Sequence, residues 1–312
     1  MYKPKILVTG GYGFLGQAVC EQLEDIAYVI PVGTQEADLR CQDATHDLFD
    51  YIDPDIVVHL AATVGGIGAN KANPGKFIEE NLSMGLNVLT CAKSYQVKKF
   101  VMLGTVCAYP KHCPVPFKEE DLWNGYPEET NAPYGIAKKT LMQMVQSFHE
   151  QYGFNGVNLI PVNMYGPNDN FDTKSSHVIP ALILKFQQAI DNGHEPVEIW
   201  GTGQASREFL YVDDCAEAIK LAIFNYDEPE PTNIGTGEEI TIMELAQKIQ
   251  RIMGHEGSIW FNSEYPDGQP RRCLDTSKAK ERFDFEATTD FDTGLTKTIE
   301  WFRNDYSNSK WV

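Results

Sequence analysis

Short apolar runs alternate with amphipathic stretches through the first half of the chain. Lys5–Thr9 is apolar and β-branched and is stopped by glycines. Phe14–Leu23 then spaces its apolar residues as a helix does. Tyr28–Val32 and Ile56–Leu60 repeat the short run, the second entered through the turn Asp53-Pro54-Asp55. Phe77–Ala92 reads as a helix, Phe100–Leu103 as a strand, Tyr134–Tyr152 as a long helix and Val157–Val162 as another strand. Strands alternating with helices predict βαβ units and a parallel sheet covered on both faces. The unbroken apolarity around Val57-Val58 fits a central strand.

After Gly166-Pro167 the pattern changes. Asn168–Ser176 is polar and reads as a loop. A helix over His177–Asp191, a short strand over Val197–Trp200 and a helix opening at Asp213-Asp214 follow. Thr241-Ile242-Met243-Glu244 is a capping box before a helix to about Met253, and a last amphipathic helix covers Asp292–Arg303. The fold class expected is α/β, a Rossmann doubly wound parallel sheet with a smaller, mostly helical α/β lobe. Residues 1–165 are assigned to the dinucleotide domain, with part of 196–225 returning to it. Residues 166–195 and 226–312 are assigned to the lobe.

The 312 residues carry 26 Lys and Arg against 44 Asp and Glu, a formal charge of −18. That balance argues against nucleic acid or an anionic membrane as the main partner, since both need basic patches. No apolar run approaches the roughly 18–20 residues of a membrane span, and Ile6-Leu7-Val8 is too short for a signal-peptide core. None of the seven cysteines (Cys20, Cys41, Cys91, Cys107, Cys113, Cys215, Cys273) shows Cys-x-x-Cys spacing. A reduced, cytoplasmic protein without a metal site is expected.

Candidate chemistry begins at Gly10-Gly11-Tyr12-Gly13-Phe14-Leu15-Gly16, between the first strand and the first helix. There, glycines at 10, 13 and 16 permit a tight turn, close approach of a pyrophosphate, and close helix–strand packing. The second strand ends Val32-Gly33-Thr34-Gln35. No acid stands there for a ribose 2′-hydroxyl, which leans toward NADP; no arginine stands there either, so NAD stays open. Asp38-Leu39 is placed beside the adenine. Tyr134 and Lys138, at i and i+4, make an acid/base pair in which the ammonium favours the phenolate. Tyr95/Lys99 and Tyr306/Lys310 share the spacing. Only Tyr134 opens a helix, behind Asn131-Ala132-Pro133, downstream of the strand end Gly104-Thr105.

Gly10–Gly16, His59-Leu60-Ala61-Ala62, Asn81, Thr105, Tyr134 and Lys138 together resemble an extended short-chain dehydrogenase/reductase. More specific are Leu103-Gly104-Thr105-Val106-Cys107-Ala108-Tyr109-Pro110, Ala62–Ile67, Pro161–Pro167, Asp169-Asn170-Phe171, Ser175–Leu182, Trp200–Gly203, Arg207-Glu208-Phe209, Val212-Asp213-Asp214 and Pro266-Asp267-Gly268. These resemble the GDP-L-fucose synthase family over nearly the whole chain. The resemblance implies 3,5-epimerisation and NADPH-dependent 4-reduction of GDP-4-keto-6-deoxy-D-mannose. It implies Cys107 as the base, His177 as the acid, and Thr105 and Tyr134 as donors to the C4 oxygen, with Lys138 also on the nicotinamide ribose. It extends the cofactor site to Leu103, Gly104, Pro161, Asn163, Met164 and His177. Substrate contacts carried over are Asn163, Val178, Lys185, Trp200, Arg207 and Asp267. Two positions depart from the family: Thr105 stands where serine is usual, and Gln35 lies near the place of an arginine.

Other readings attach to single residues. Lys185 also fits a solvated helix face. Arg271-Arg272 fits either a phosphate or salt bridges to the acidic lobe. His59 orders the loop after its strand. Apolar residues at 141, 144, 145, 148 and 152, together with the helix near 74–92, fit the superfamily's homodimer interface as well as ordinary core. The alternatives in function are a related nucleotide-sugar 4-reductase or 3,5-epimerase acting on another keto-deoxy hexose or heptose, and a dinucleotide-sensing regulator that performs no chemistry.

Overall fold

The computed structural model describes residues 2–172, 175–265 and 267–306. Pro266 and Lys310, named above, lie outside them. In chain order the elements are β1 (Lys5–Thr9), α1 (Phe14–Leu23), β2 (Tyr28–Val32), α2 (Gln42–Ile52), β3 (Ile56–His59), α3 (Ile67–Ala72), α4 (Pro74–Ser94), β4 (Lys99–Leu103), α5 (Ala132–Tyr152), β5 (Gly156–Pro161) and β6 (Asn163–Tyr165). There follow α6 (Val178–Asp191), β7 (Val197–Trp200), β8 (Ser206–Tyr211), α7 (Val212–Asn225), β9 (Thr232–Ile234), β10 (Glu239–Thr241), α8 (Ile242–Met253), β11 (Ile259–Asn262), α9 (Ser277–Phe283) and α10 (Phe291–Tyr306). Single 3-10 turns span Val106–Ala108 and Glu119–Trp123.

The main sheet has the order β2-β1-β3-β4-β5-β9, every pair parallel. This is the Rossmann sheet that the alternating pattern predicts. β2 lies on one side of β1 and β3 on the other, so the winding reverses there. In sheets of this kind such a reversal makes a crevice outside the carboxyl ends of the two strands, here β1 and β3, where ligands bind. β3 and β4 are buried at every position, as central strands must be.

A second apolar core, built on Phe171, Phe186, Phe209, Leu245 and Phe302, belongs to the smaller lobe. The lobe holds more strand than expected. β10-β8-β6 forms one small sheet and β11-β7 another. The assignment of 226–312 to the lobe is corrected: β9 extends the main sheet, and Ala279, Phe283 and Phe285 pack in the main core with α7. The reason is chain economy, since each crossing between layers is made by a short apolar segment that completes whichever core it meets. Helix α8 opens with the expected capping box, Thr241 and Glu244 each bonding the other's backbone N–H. Among the described residues no helix is long and apolar enough to cross a membrane. All seven cysteines are free.

Candidate active site

The glycine loop is shaped by close contacts. Gly10 has φ +70°, and its N–H and that of Gly11 donate to the Val32 carbonyl at 2.8 and 3.2 Å. A Cβ on Gly10 would lie 2.8 Å from Ala61 N, and one on Gly16 only 2.1 Å from the Gly10 carbonyl oxygen. Gly13 is the N-cap of α1, and no side chain caps it. The first-turn N–H groups are thus left for an anion at the crevice, which fits the pyrophosphate of a dinucleotide.

Asp38 and Leu39, expected beside the adenine, have partners of their own. Asp38 is engaged by Arg40 through two hydrogen bonds, at 2.8 and 2.9 Å, and the third arm of Arg40 reaches Glu80 at 2.8 Å. Arg40 holds the exposed Asp38 carboxyl below its usual range. The Leu39 side chain is core, so only its backbone can face a ligand. Glu36, beyond the strand end, accepts from Gly33 N–H at 2.8 Å.

Deeper in the crevice, the His59 ring meets Thr9 Oγ1 at 2.8 Å, and Ala61 N–H donates to the same hydroxyl. Burial first and the Lys138 charge second depress His59 to about 3, so it is a neutral brace, in the ordering role expected of it. Asn81 clamps the following loop by exchanging hydrogen bonds with the Thr63 backbone at 3.1 and 2.9 Å.

Thr105 caps the 3-10 turn by accepting from Cys107 N–H at 3.2 Å, and its hydroxyl also hydrogen-bonds Tyr134. Gly135 lets the turn and α5 touch, since a Cβ there would sit 2.3 Å from the Cys107 carbonyl oxygen. Thr105, Cys107 and Tyr134 therefore form one cluster at the carboxyl end of β4. Lys138, one helical turn on and fully buried, donates to the Leu103 carbonyl at 3.0 Å, and burial lowers it to about 8. The expected lowering of the Tyr134 phenol is not what the structure gives. Burial and then Cys107 push it up, and only the Thr105 hydrogen bond pulls it down. Lys138 is spent on Leu103 instead.

The other wall is built by the lobe. His177 is the N-cap of α6, just before the helix. The residue keeps solvent access, but partial loss of water around the ring, and then the Arg272 charge, hold its imidazole below the ordinary range. Val178 opens α6. Asn163, on β6, donates to the Glu208 carbonyl at 3.3 Å, with Met164 beside it and Pro161 closing β5. Arg207 donates to the Ser206 and Asp267 carbonyls at 2.7 and 3.3 Å. Burial, and then Arg272, lower it to about 10.

Two substrate candidates make hydrogen bonds within the chain. The Asp267 carboxylate accepts from Thr202 N–H and hydroxyl at 2.7 and 2.8 Å, fixing the Gly201-Thr202 turn. Lys185 does not point into solvent; it donates to the Glu198 carbonyl and lies 5.1 Å over the Trp200 ring. Trp200 is 58% exposed and stacks on Tyr265 at 4.4 Å and 13°. Trp200 and Tyr265 form an aromatic platform at the end of β7, with Lys185 over the Trp200 ring, continuous through Gly201-Thr202 with Asp267 and Arg207.

The Arg271-Arg272 question separates. Arg271 pairs with Glu239. Arg272 is buried and turns its Nη1 to Cys107 Sγ at 3.8 Å. Sequence reasoning could not find that contact, because 165 residues separate the partners. Tyr265 was likewise missed, its only signal being an aromatic in a Pro/Gly-rich turn.

A sequence profile of the NAD dependent epimerase/dehydratase family matches residues 6–235. GDP-L-fucose synthase 1 of Arabidopsis thaliana is 38% identical over 306 residues, 97% of this chain and 94% of that protein. A GDP-6-OMe-4-keto-L-xylo-heptose reductase from C. jejuni superposes with a TM-score of 0.91 at 30% identity, over 98% of this chain and 99% of that one. A GDP-L-fucose synthetase from Naegleria fowleri bound to NADP gives 0.90 at 30%, over 99% and 97%.

Proposed function

The chain belongs to the NAD dependent epimerase/dehydratase family, and we propose that within it the protein converts GDP-4-keto-6-deoxy-D-mannose to GDP-L-fucose. C3 and C5 are epimerised and C4 is then reduced with NADPH. One observation supports this reading: Arg272 meets the Cys107 thiol beside Thr105 and Tyr134, and the same arginine's charge acts on the His177 imidazole. A simple 4-reductase needs Thr105, Tyr134 and Lys138 alone. The near-full-length likeness to a GDP-L-fucose synthase supports it.

Protons at C3 and C5 are acidic because both carbons adjoin the C4 carbonyl. The Cys107 thiolate takes the proton, and the C–H pair becomes the enolate double bond while O4 gains negative charge. Thr105 and Tyr134 hydroxyls donate to O4 and stabilise that charge. The His177 imidazolium returns a proton to the opposite face, and its depressed affinity makes it the stronger acid. Thiol and imidazole then re-equilibrate through solvent, and the second carbon follows. NADPH, when bound, supplies hydride to C4. Tyr134 gives its proton to O4, Lys138 positions the ribose, and the α1 N-terminus holds the pyrophosphate. Arg207 neutralises the sugar diphosphate, and the platform of Trp200 and Tyr265 stacks on the base. The protein works as a homodimer through α4 and α5, where Leu86 and Tyr152 remain about half exposed.

The test is reaction in D₂O with NADPH and, separately, NADH. Cofactor oxidation with deuterium at C3 and C5 is expected. Oxidation without carbon-bound deuterium refutes the base and acid roles and favours a heptose-type 4-reductase, the reading that the Campylobacter likeness supports.

A further inference from the structure

Cys107 as a base needs a thiolate near neutral pH, yet a free cysteine has a pKa of about 8.5. We propose that Arg272 is the positioning residue that keeps Cys107 ionised for proton abstraction. The inference rests on Cys107 being the base of the proposed reaction.

The arrangement around Arg272 is specific. Arg272 is 8% exposed as a residue and makes no ion pair among the described residues, although the neighbouring Arg271 does. Nε and Nη2 both donate to Gln269 Oε1, at 3.3 and 3.2 Å. Gln269 is itself held by the Lys111 carbonyl at 3.0 Å. A neutral amide therefore fixes the fork without cancelling its charge, and Nη1 is left facing Cys107 Sγ at 3.8 Å. The backbone is equally fixed. Glu208 N–H donates to the Arg272 carbonyl at 3.0 Å, and Phe117 N–H to that of Cys273 at 2.8 Å.

Leaving a buried cation without a counter-ion costs several kcal/mol. A thiolate is the anion that would compensate it. The charged and titratable groups around the thiol are Tyr134 from α5, Arg207 from β8 and Arg272 from the segment after β11. Arg207 turns Nη1 to the Ser206 carbonyl and Nη2 to the Asp267 carbonyl, and its charge acts on the thiol with no hydrogen bond to sulfur among the described residues. Arg272 is the cation whose free nitrogen meets sulfur. An opposite charge within about 4–6 Å moves an acid's pKa down by about 1–3 units. The same charge disfavours the His177 imidazolium, so one guanidinium populates the thiolate and makes the imidazolium give up its proton more readily.

The test is iodoacetamide alkylation of Cys107 as a function of pH, read on its own peptide by mass spectrometry. Wild type, Arg272→Met and Arg272→Lys are compared, with folding checked by circular dichroism. The alkylation midpoint is expected to rise by about 1–2 pH units in the Met variant and by less in the Lys variant. Deuterium exchange at C3 and C5 should fall about tenfold at neutral pH and recover at alkaline pH, where the thiol ionises unaided. A purely structural role would lower exchange equally at all pH. An unmoved midpoint in Arg272→Met overturns the inference. If that variant does not fold, Arg272→Gln takes its place, and an unmoved midpoint there overturns the inference. Wild-type NADPH oxidation without carbon-bound deuterium instead overturns the reading of Cys107 on which the inference stands. Wild-type exchange with an unmoved midpoint overturns the inference alone.

Discussion

Glu208 is a buried carboxyl group that pairs with no cation among the described residues, and replacing it by glutamine tests how the site is held. Oε1 accepts from Thr236 N–H at 2.6 Å and Gly237 N–H at 2.8 Å, and Oε2 from Leu274 N–H at 2.7 Å. One side chain thus ties β8 of the lobe to the loop after β9 and to the segment carrying Arg272. In Glu208→Gln the carbonyl can keep the first two bonds. The amide nitrogen then faces Leu274 N–H, donor against donor, and a buried N–H is orphaned. An unsatisfied buried donor costs about 1–3 kcal/mol, and more where the lost acceptor was charged. We expect a loss of about 2–3 kcal/mol, concentrated in local opening of residues 232–238 and 270–276. By the conversion of 1.4 kcal/mol per decade, their amide exchange should quicken by about 30- to 150-fold. Hydrogen exchange read by mass spectrometry on those peptides is the assay. A change below about threefold would refute the account of Glu208 as the tie, because Glu208 Oε2 is the acceptor that Leu274 N–H uses.

Three further outcomes follow from single residues. Lys138→Met should cut turnover at least about 100-fold as an acid/base and positioning loss. Because burial lowers Lys138 to about 8 from 10.5, the unfolded chain binds more protons between those values. Stability therefore rises with pH across that window in the wild type, and the slope should flatten in the variant when denaturation is followed from pH 8 to 10.5. Gly16→Ala places a Cβ 2.1 Å from the Gly10 carbonyl oxygen, so the loop and α1 must part, and NADPH affinity by fluorescence titration should fall at least about tenfold. Trp200→Ala should raise KM at least about fivefold with kcat nearly unchanged and with little change in melting temperature, since the ring is exposed and stacks only on Tyr265 and Lys185; a matching fall in kcat would place Trp200 nearer the chemistry than the platform allows.

What the sequence determined by itself is whatever depends on near neighbours. The period of apolar positions marked the βαβ units, because a buried parallel strand and an amphipathic helix each carry their own signature. The glycines at 10, 13 and 16, the capping box at Thr241, and the four-residue step from Tyr134 to Lys138 were legible for the same reason. Residue spacing there is geometry. The short strands β6, β8 and β10 were not legible, since three to six residues carry too little periodicity to distinguish a strand from a turn. Nor was the crossing of β9 back to the main sheet.

Tertiary structure decided the electrostatics. Asp38 met Arg40, and Lys185 turned to Trp200 and the Glu198 carbonyl. Of two adjacent arginines, one went to Glu239 and the other to the Cys107 sulfur. Tyr134 was expected to be lowered by a lysine one turn away, yet burial raised it while that lysine bonded Leu103. Charge and hydrogen-bond partners are chosen across space. The energy of each choice depends on burial, which no local pattern encodes.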